Sequence, residues 1–444
     1  MAKLPTLETT HSGVSVSQLR EHSKALISEI ADMRDAAEEG YSNDRCSINL
    51  PYDKKIAKET AVLAKRHKGV DAIVVVGIGG SNLGTMAVQE AVLGKYHNMT
   101  GTGPKIFYSD TVDTYAMKDL LRILTGLRKA GKTIVVNGVS KSGGTTETTA
   151  NFEILTEFLR KTDRRADEHI VVTSDEGSPF WKLAEKRGYH TLAIPKKVGG
   201  RYSVMSAVGQ YPLRAIGVDV DQLLKGAADM RKACLGGDVA KNPAAQRAAL
   251  LHHHYLHGKN IADMFLFCPD LESVGRWYRQ LMGESIGKEW DSRHKMRVSC
   301  GMTPTVSIGS TDLHSMAQLY LGGPVDKFTT FVTLDEKSSV GAGGVSVPRD
   351  KEYEALVPHI QGRKLSELMD AIYRGVSIAY EKNGRPYCHV GLHGKDEYQI
   401  GALLQMHMME MMYLGRLLGV NPFDQPAVEA YKVETKRILE KTFH

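Results

Sequence analysis

Four short segments carry residue types and spacings that could do chemistry: GIGGSNLG (Gly77–Gly84), SKSGGTTE (Ser140–Glu147), GGRYS (Gly199–Ser203) and GESIGK (Gly283–Lys288). The first follows the β-branched run AIVVV and leads into a helical pattern. Glycines at such a turn let the backbone approach a ligand, and the helix start offers unpaired N–H groups to an anion. Neither nucleotide signature fits. Asn82 stands where a Rossmann fingerprint counted from Gly77 needs its third glycine, and this segment has no GK followed by Ser or Thr. An ordinary strand-to-helix turn is the competing reading. The second segment supplies the hydroxyls of Ser140, Ser142, Thr145 and Thr146 around Gly143 and Gly144. Together with helix-start amides they can surround phosphate oxygens, at about 1.5–3 kcal/mol per hydrogen bond to a charged acceptor. A capping box would explain one hydroxyl; four exceed what a cap uses.

The other two segments bring an acid and a cation. Glu284 lies between Gly283 and Ser285, and a carboxylate ionised at neutral pH can accept a proton from an acidified carbon. Its competing role is an i,i+4 surface pair with Lys288. Arg201 follows two glycines and stays charged, suited to an enediolate oxyanion or to a solvated surface. His314, in TDLHSM, falls early in a predicted helix; an imidazole titrating near neutrality suits ring opening, although the chain has 17 histidines. Gln425 and Lys432 are seven residues apart, a spacing that puts both on one helix face. An ion pair with Glu429 is the alternative for Lys432.

Composition bounds the rest. The chain of 444 residues, 42% hydrophobic, is long enough for two large domains. A net charge of +6, with basic pairs scattered along the chain, argues against nucleic-acid binding and suffices for an anionic small molecule. The five cysteines, Cys46, Cys234, Cys268, Cys300 and Cys388, show neither zinc spacing nor a disulfide framework, so a reducing cytoplasm is expected. No signal peptide and no membrane span is expected.

The elements that must position these residues alternate. Strands are expected at 72–76, 105–110, 133–139, 169–175 and 190–195, with helical crossovers that imply a parallel sheet covered on both faces. A second round has strand candidates at 261–268, 304–308, 328–334 and 387–392, with helices near 271–285, 312–321 and 363–381. A long helix near 397–418 and a final helix from about Pro426 close the chain. Residues 1–46 read as a helical arm. The stretch from Glu336 to Arg363 is expected to be a mobile insertion.

GIGGSNLG, SKSGGTTE, VGGRYSV, the Gln280–Glu284–Lys288 stretch, TDLHSM and VNPFDQPAVEAYK occur in one order between Gly77 and Lys432. In this the chain resembles the phosphoglucose isomerase family of bacterial type. The resemblance implies an α/β fold of two SIS-type αβα sandwich domains with parallel sheets, plus the N-terminal helical arm and the C-terminal helix. The expected divisions are 1–46, 47–205, 206–420 and 421–444. It implies reversible isomerisation of glucose 6-phosphate and fructose 6-phosphate through a cis-enediolate, with no metal and no organic cofactor. It also implies a homodimer or tetramer with shared active sites, a neighbouring subunit supplying the histidine. On the matching positions, Glu284 would shuttle the proton between C2 and C1, Arg201 would stabilise the intermediate, and His314 and Lys432 would assist ring opening. Ser140, Ser142 and Thr145 would hold the phosphate beside the Lys141 backbone. Gly80, Ser81, Glu147, Gln280 and Gln425 would line the site. Three positions depart from the family: Gly144 where a threonine is common, Met408 where a glutamate is frequent, and Ala427 for a usual glycine. An isomerase also acting on mannose 6-phosphate, and a non-catalytic sugar-phosphate sensor, are the alternatives. The sensor would not need Glu284, Arg201, His314 and Lys432 together.

Overall fold

The computed structural model describes residues 3–101, 103–335 and 344–442. Two parallel sheets carry the site. The strands in chain order are β1 (Thr6–Glu8), β2 (Ala72–Val76), β3 (Lys105–Ser109), β4 (Ile134–Val139), β5 (Ile170–Ser174), β6 (His190–Ala193), β7 (Ile261–Leu266), β8 (Lys288–Trp290), β9 (Arg297–Cys300), β10 (Thr303–Ile308), β11 (Lys327–Leu334) and β12 (Tyr387–Leu392). The first sheet runs β3-β2-β4-β5-β6, all parallel. The second runs β1-β12-β11-β7-β10, parallel except for β1. Both halves therefore wind in the same sense: the first strand of each lies between the second and the third.

The halves differ at one edge. In the first sheet the outermost place is taken by β6. In the second it is filled by β1, which pairs antiparallel with β12. The N-terminal arm, expected to be helical throughout, thus contributes a strand before its helix Val16–Glu38. Three residues without helical periodicity gave no signal until β12 offered an unpaired edge.

Strand β2 shows why the sheet forms. Its β-branched run is buried at every position, as a central strand covered on both faces requires. Alternate side chains feed different cores: Ile73 and Val75 join the large core, while Ala72, Val74 and Val76 pack on the opposite face with Leu124, Phe152 and Leu155. The large core continues without interruption into the second half. There the helix Glu397–Leu418 is buried from Tyr398 to Gly415, and it is apolar nearly all round, as a helix without a solvent face must be.

The helix Glu272–Ile286 belongs to the second half but packs against the helix Leu83–Leu93 of the first. That contact brings the two halves of the site together. The hairpin β8–β9 was not foreseen from the sequence. Of the 336–363 insertion, residues 336–343 lie outside the described residues; the remainder holds a one-turn helix, Lys351–Glu354, and a bridge between Ser346 and Lys364.

Candidate active site

Strands β2 and β4 are neighbours in register, Val76 opposite Gly138, so the loops that follow them leave the sheet side by side. This is the point where the strand order reverses, and ligands of open parallel sheets bind at the carboxyl ends there. The first loop approaches other backbone very closely. A Cβ on Gly80 would stand 2.2 Å from the carbonyl carbon of Gly200, so only glycine permits the Gly77–Gly84 loop to lie on the Gly199–Ser203 turn. Ser203 Oγ ties the two by donating to the carbonyls of Gly80 (3.3 Å) and Gly200 (2.7 Å). Ser81 is half-buried beside this junction.

The second loop curls on itself. Ser140, buried, accepts from the Gly143 N–H at 3.1 Å and lies 3.5 Å from the Thr145 hydroxyl. Ser142 Oγ accepts a long bond from the Gly144 N–H, 3.4 Å. Gly143 has φ +72°, and a Cβ on it would stand 2.4 Å from that of Phe180. Thr145 occupies the N-cap of the helix Thr146–Thr162 yet makes no side-chain cap bond. The capping explanation of this segment therefore fails, and the first-turn amides are left for a ligand. Glu147, in that first turn, is half-buried. Behind the loop, Ser174 Oγ donates to the Ser140 carbonyl at 2.7 Å. Asp175 N–H donates to the Lys141 carbonyl at 3.1 Å. Burial pushes the Asp175 carboxyl up, with Lys141 and Lys196 opposing.

The acid sits on the last turn of the helix Glu272–Ile286. Gln280 is one turn before it and donates through Nε2 to Glu284 Oε1 at 3.0 Å. The other carboxylate oxygen, Oε2, accepts from Arg201 Nη1 at 3.2 Å. Gln280 Oε1 is buried without a partner. The Gln280 amide also reaches the first loop: a Cβ on Gly79 would stand 2.8 Å from its Nε2. The Gly77–Gly84 loop, the Gly199–Ser203 turn with Arg201, Gln280 and Glu284 thus form one connected group.

Arg201 is fully buried and its donors are spread over two distant segments, 284–285 and 422–425. Nε donates to Ser285 Oγ at 2.8 Å, Nη2 to the carbonyls of Pro422 (2.6 Å) and Asp424 (3.1 Å), and Nη1 to Gln425 Oε1 as well as to Glu284. Tyr202 OH shares Ser285 at 2.9 Å.

Lys288 does not pair with Glu284. The helix ends at Ile286, and Lys288 opens β8, where its Nζ bonds the Asp424 carboxylate at 2.9 Å and the Asp424 carbonyl. Burial draws the Lys288 ammonium below the usual lysine value, and Asp424 opposes that. A cavity of about 340 Å³ is lined by Glu284, Lys288, Trp290, His294, Asp424 and Gln425 among others. Trp290, His294 and Asp424 were not singled out from the sequence, and Lys288 was weighed only as a surface partner of Glu284. Lys288 and Asp424 flank chosen residues within the GESIGK and FDQP segments, which was the available signal.

Two expected residues lie elsewhere. His314 follows a 3-10 turn, Thr311–Leu313, is exposed, and is not among the cavity's lining residues; the helix begins only at Ala317. Lys432 donates to Glu429 at 2.7 Å and also does not line the cavity. Gln425 and Lys432 do not share a helix face, contrary to the spacing argument. A 3-10 turn, Pro426–Val428, separates Gln425 from the helix Glu429–Thr442, because prolines at 422 and 426 delay its start. Of the departures, Gly144 has open space, its added Cβ meeting only Ser142 Oγ at 3.8 Å. Met408 is fully buried in the large core, and Ala427 is exposed at the cavity wall.

Comparison with known proteins adds three findings. The family model described as phosphoglucose isomerase matches residues 57–337. A glucose-6-phosphate isomerase of Carboxydothermus hydrogenoformans is 33% identical over 426 residues, 94% of this chain and 89% of that protein. Among solved structures, a hypothetical protein of Thermus thermophilus superposes with a TM-score of 0.86 at 31% identity, covering 98% of this chain and 100% of that one. A glucose-6-phosphate isomerase from Chlamydia trachomatis gives 0.84 at 20% identity, covering 100% and 90%, which speaks to the fold alone.

Proposed function

The chain belongs to the phosphoglucose isomerase family, whose members interconvert glucose 6-phosphate and fructose 6-phosphate, and we propose that it performs this aldose–ketose isomerisation with Glu284 as the proton-transferring base. The observation that carries the assignment is the carboxylate held between Arg201 and Gln280 beside a cavity and next to the loop at Gly79.

In this reading the phosphate end of the open-chain sugar rests on the Ser140, Ser142 and Thr145 hydroxyls and the amides at the start of the helix Thr146–Thr162. Lys141 backs the loop. Gly80, Ser81, Glu147, Gln280 and Gln425 face the sugar carbons. Holding the phosphate fixes C1 and C2 against Glu284, and such positioning lowers the barrier by removing rotational and translational freedom beforehand. Glu284 takes the C2 proton, the electron pair moves into an enediolate, a proton passes from O2 to O1, and Glu284 returns its proton to C1. Once protonated, the carboxyl is a weaker partner for Arg201 Nη1, whose charge then turns to the enediolate oxygen.

Ring opening is assigned to His314 and Lys432. Since His314 lies outside the cavity of its own chain, it is assigned to the site of a second copy in a homodimer, or a tetramer built from dimers. No helix among the described residues is long and apolar enough to cross a membrane. All five cysteines are free, which agrees with a cytoplasmic setting.

Replacement Glu284→Gln keeps the shape and removes the base. Isomerisation, followed by coupling fructose 6-phosphate conversion to glucose 6-phosphate oxidation, is expected to fall about 10²–10⁴-fold with substrate affinity within a few-fold. Near-normal turnover by this variant would falsify the assignment.

A further inference from the structure

The opposite end of the first sheet holds a second pocket. A cavity of about 410 Å³ is lined by Arg66, His67, Lys68, Arg165, His169 and His190, together with Thr133 and Glu168. These residues precede or begin β2, β4, β5 and β6, so the cavity opens at the amino edge of the sheet. The isomerase site is at the carboxyl edge, a strand length or roughly 15 Å away.

Its cations outnumber its acids. Arg66, Lys68 and Arg165 form no carboxylate salt bridge among the described residues. The nearby acids are engaged: Asp163 with Arg128 (3.3 Å) and His169 (2.9 Å), Asp71 with Lys132 (2.9 Å), and Asp167 with Arg160 (3.1 Å). Glu168 is the one lining carboxylate. His67 is bonded at both ring nitrogens. His67 donates from Nε2 to the Glu168 carbonyl at 3.0 Å and accepts at Nδ1 from Tyr211 OH at 2.7 Å. Arg66 Nη1 donates to His190 Nδ1 at 3.4 Å, and His190 is also hydrogen-bonded to the Glu168 backbone. Burial and the neighbouring cations keep His67 down at about 4. Arg66 and Lys68 lie at the C-terminal end of the helix Lys54–Arg66, where its carbonyls favour cations. Arg165 comes from a separate turn and gains nothing from that helix, yet it converges on the same cavity.

We propose that this cavity is a second anion site that takes a small multivalent anion, carrying phosphates or several carboxylates, independently of the sugar phosphate. Two guanidinium groups suit bidentate oxyanion binding, with Lys68 adding a further donor. His67 joins the pocket to Tyr211, on the helix Ala207–Ala215.

The test is titration of the full chain with pyrophosphate and, separately, with citrate. The readout is the imidazole resonances of His67, His169 and His190, which active-site occupancy does not contact. Saturable shifts with either probe are expected, the pair of arms telling phosphate from carboxylate preference. Arg66→Gln/Arg165→Gln should weaken that binding at least about 10-fold while isomerase turnover stays within about 2-fold; unchanged turnover also certifies folding. The proposal is overturned by an absence of saturable shifts with both anions, by shifts reproduced with sodium chloride of equal ionic strength, or by undiminished binding in the double variant.

Discussion

Lys288 bonds the carboxylate of Asp424 at 2.9 Å and leaves Glu284, four residues earlier in the chain, to Arg201. Two cations from different segments thereby clamp the 422–425 stretch. Arg201 takes the carbonyls of Pro422 and Asp424 and the amide of Gln425, and Lys288 takes Asp424. The carboxylate of Glu284 is left paired on its inner side and open to the cavity.

Lys288→Met keeps the buried stem and removes the clamp's second cation. Asp424 is partly exposed, so the cost in stability should be moderate, about 1–3 kcal/mol. With Gln425 loosened, kcat/KM should fall roughly 10-fold. Thermal unfolding and steady-state kinetics check both; a variant that matches the parent in each would show that the clamp does not position Gln425.

The hydroxyl loop makes a different prediction. Ser142→Ala and Thr145→Val each remove one hydrogen bond to a dianionic phosphate, which should raise KM about 10- to 100-fold and leave the fold intact. Gly144→Thr has room for its side chain and is expected to fold normally, with KM moving only a few-fold. Equal KM across the alanine and valine variants would place the phosphate elsewhere.

If the site is shared between copies, inactive variants should complement. Mixing Glu284→Gln with His314→Asn by co-expression gives some mixed dimers that carry one intact site and one doubly defective site. Random pairing then restores about a quarter of the parental sites. Activity that never exceeds that of the two variants alone would argue that His314 acts within its own chain or not at all.

Acid stability should report on a buried network below the site. Glu410 accepts from Arg247 (2.8 and 3.2 Å) and Tyr278 (2.8 Å) and is bonded to His407 Nδ1 (2.7 Å). Burial alone would raise its carboxyl, but Arg247 and His407 carry it down to about 2. A folded value below the unfolded one means stabilisation that is present above about 4.5 and lost as pH falls toward 2, on the order of 3 kcal/mol. Denaturant unfolding between pH 5 and 2 should show this slope in the parent, and Glu410→Gln should flatten it.

Much of the fold was legible because its signals are local. Hydrophobic runs marked nine of the ten large-sheet strands to within a residue or two, and the long helix near 397–418 was expected where Glu397–Leu418 lies. β1 was missed because three residues carry no period, and β8–β9 because a short hairpin with exposed positions has no buried face to read. At the site, the competing roles of Glu284 could not be separated by spacing. Both Lys288 and Arg201 were available partners, and the choice depended on the helix stopping at Ile286.

The chain by itself determined which groups exist and in what order: the glycine turns, the hydroxyl loop, the acid, the arginine. Residue type and near-neighbour spacing set those, since they depend on backbone sterics and local hydrogen bonding. Only the tertiary structure decided who meets whom. Packing of the helix Glu272–Ile286 on the helix Leu83–Leu93 delivers Gln280 to the Gly79 turn, and burial of Arg201 forces each of its donors to find an acceptor from a distant segment. Such pairings arise from sharing one core, and no spacing along the chain encodes them.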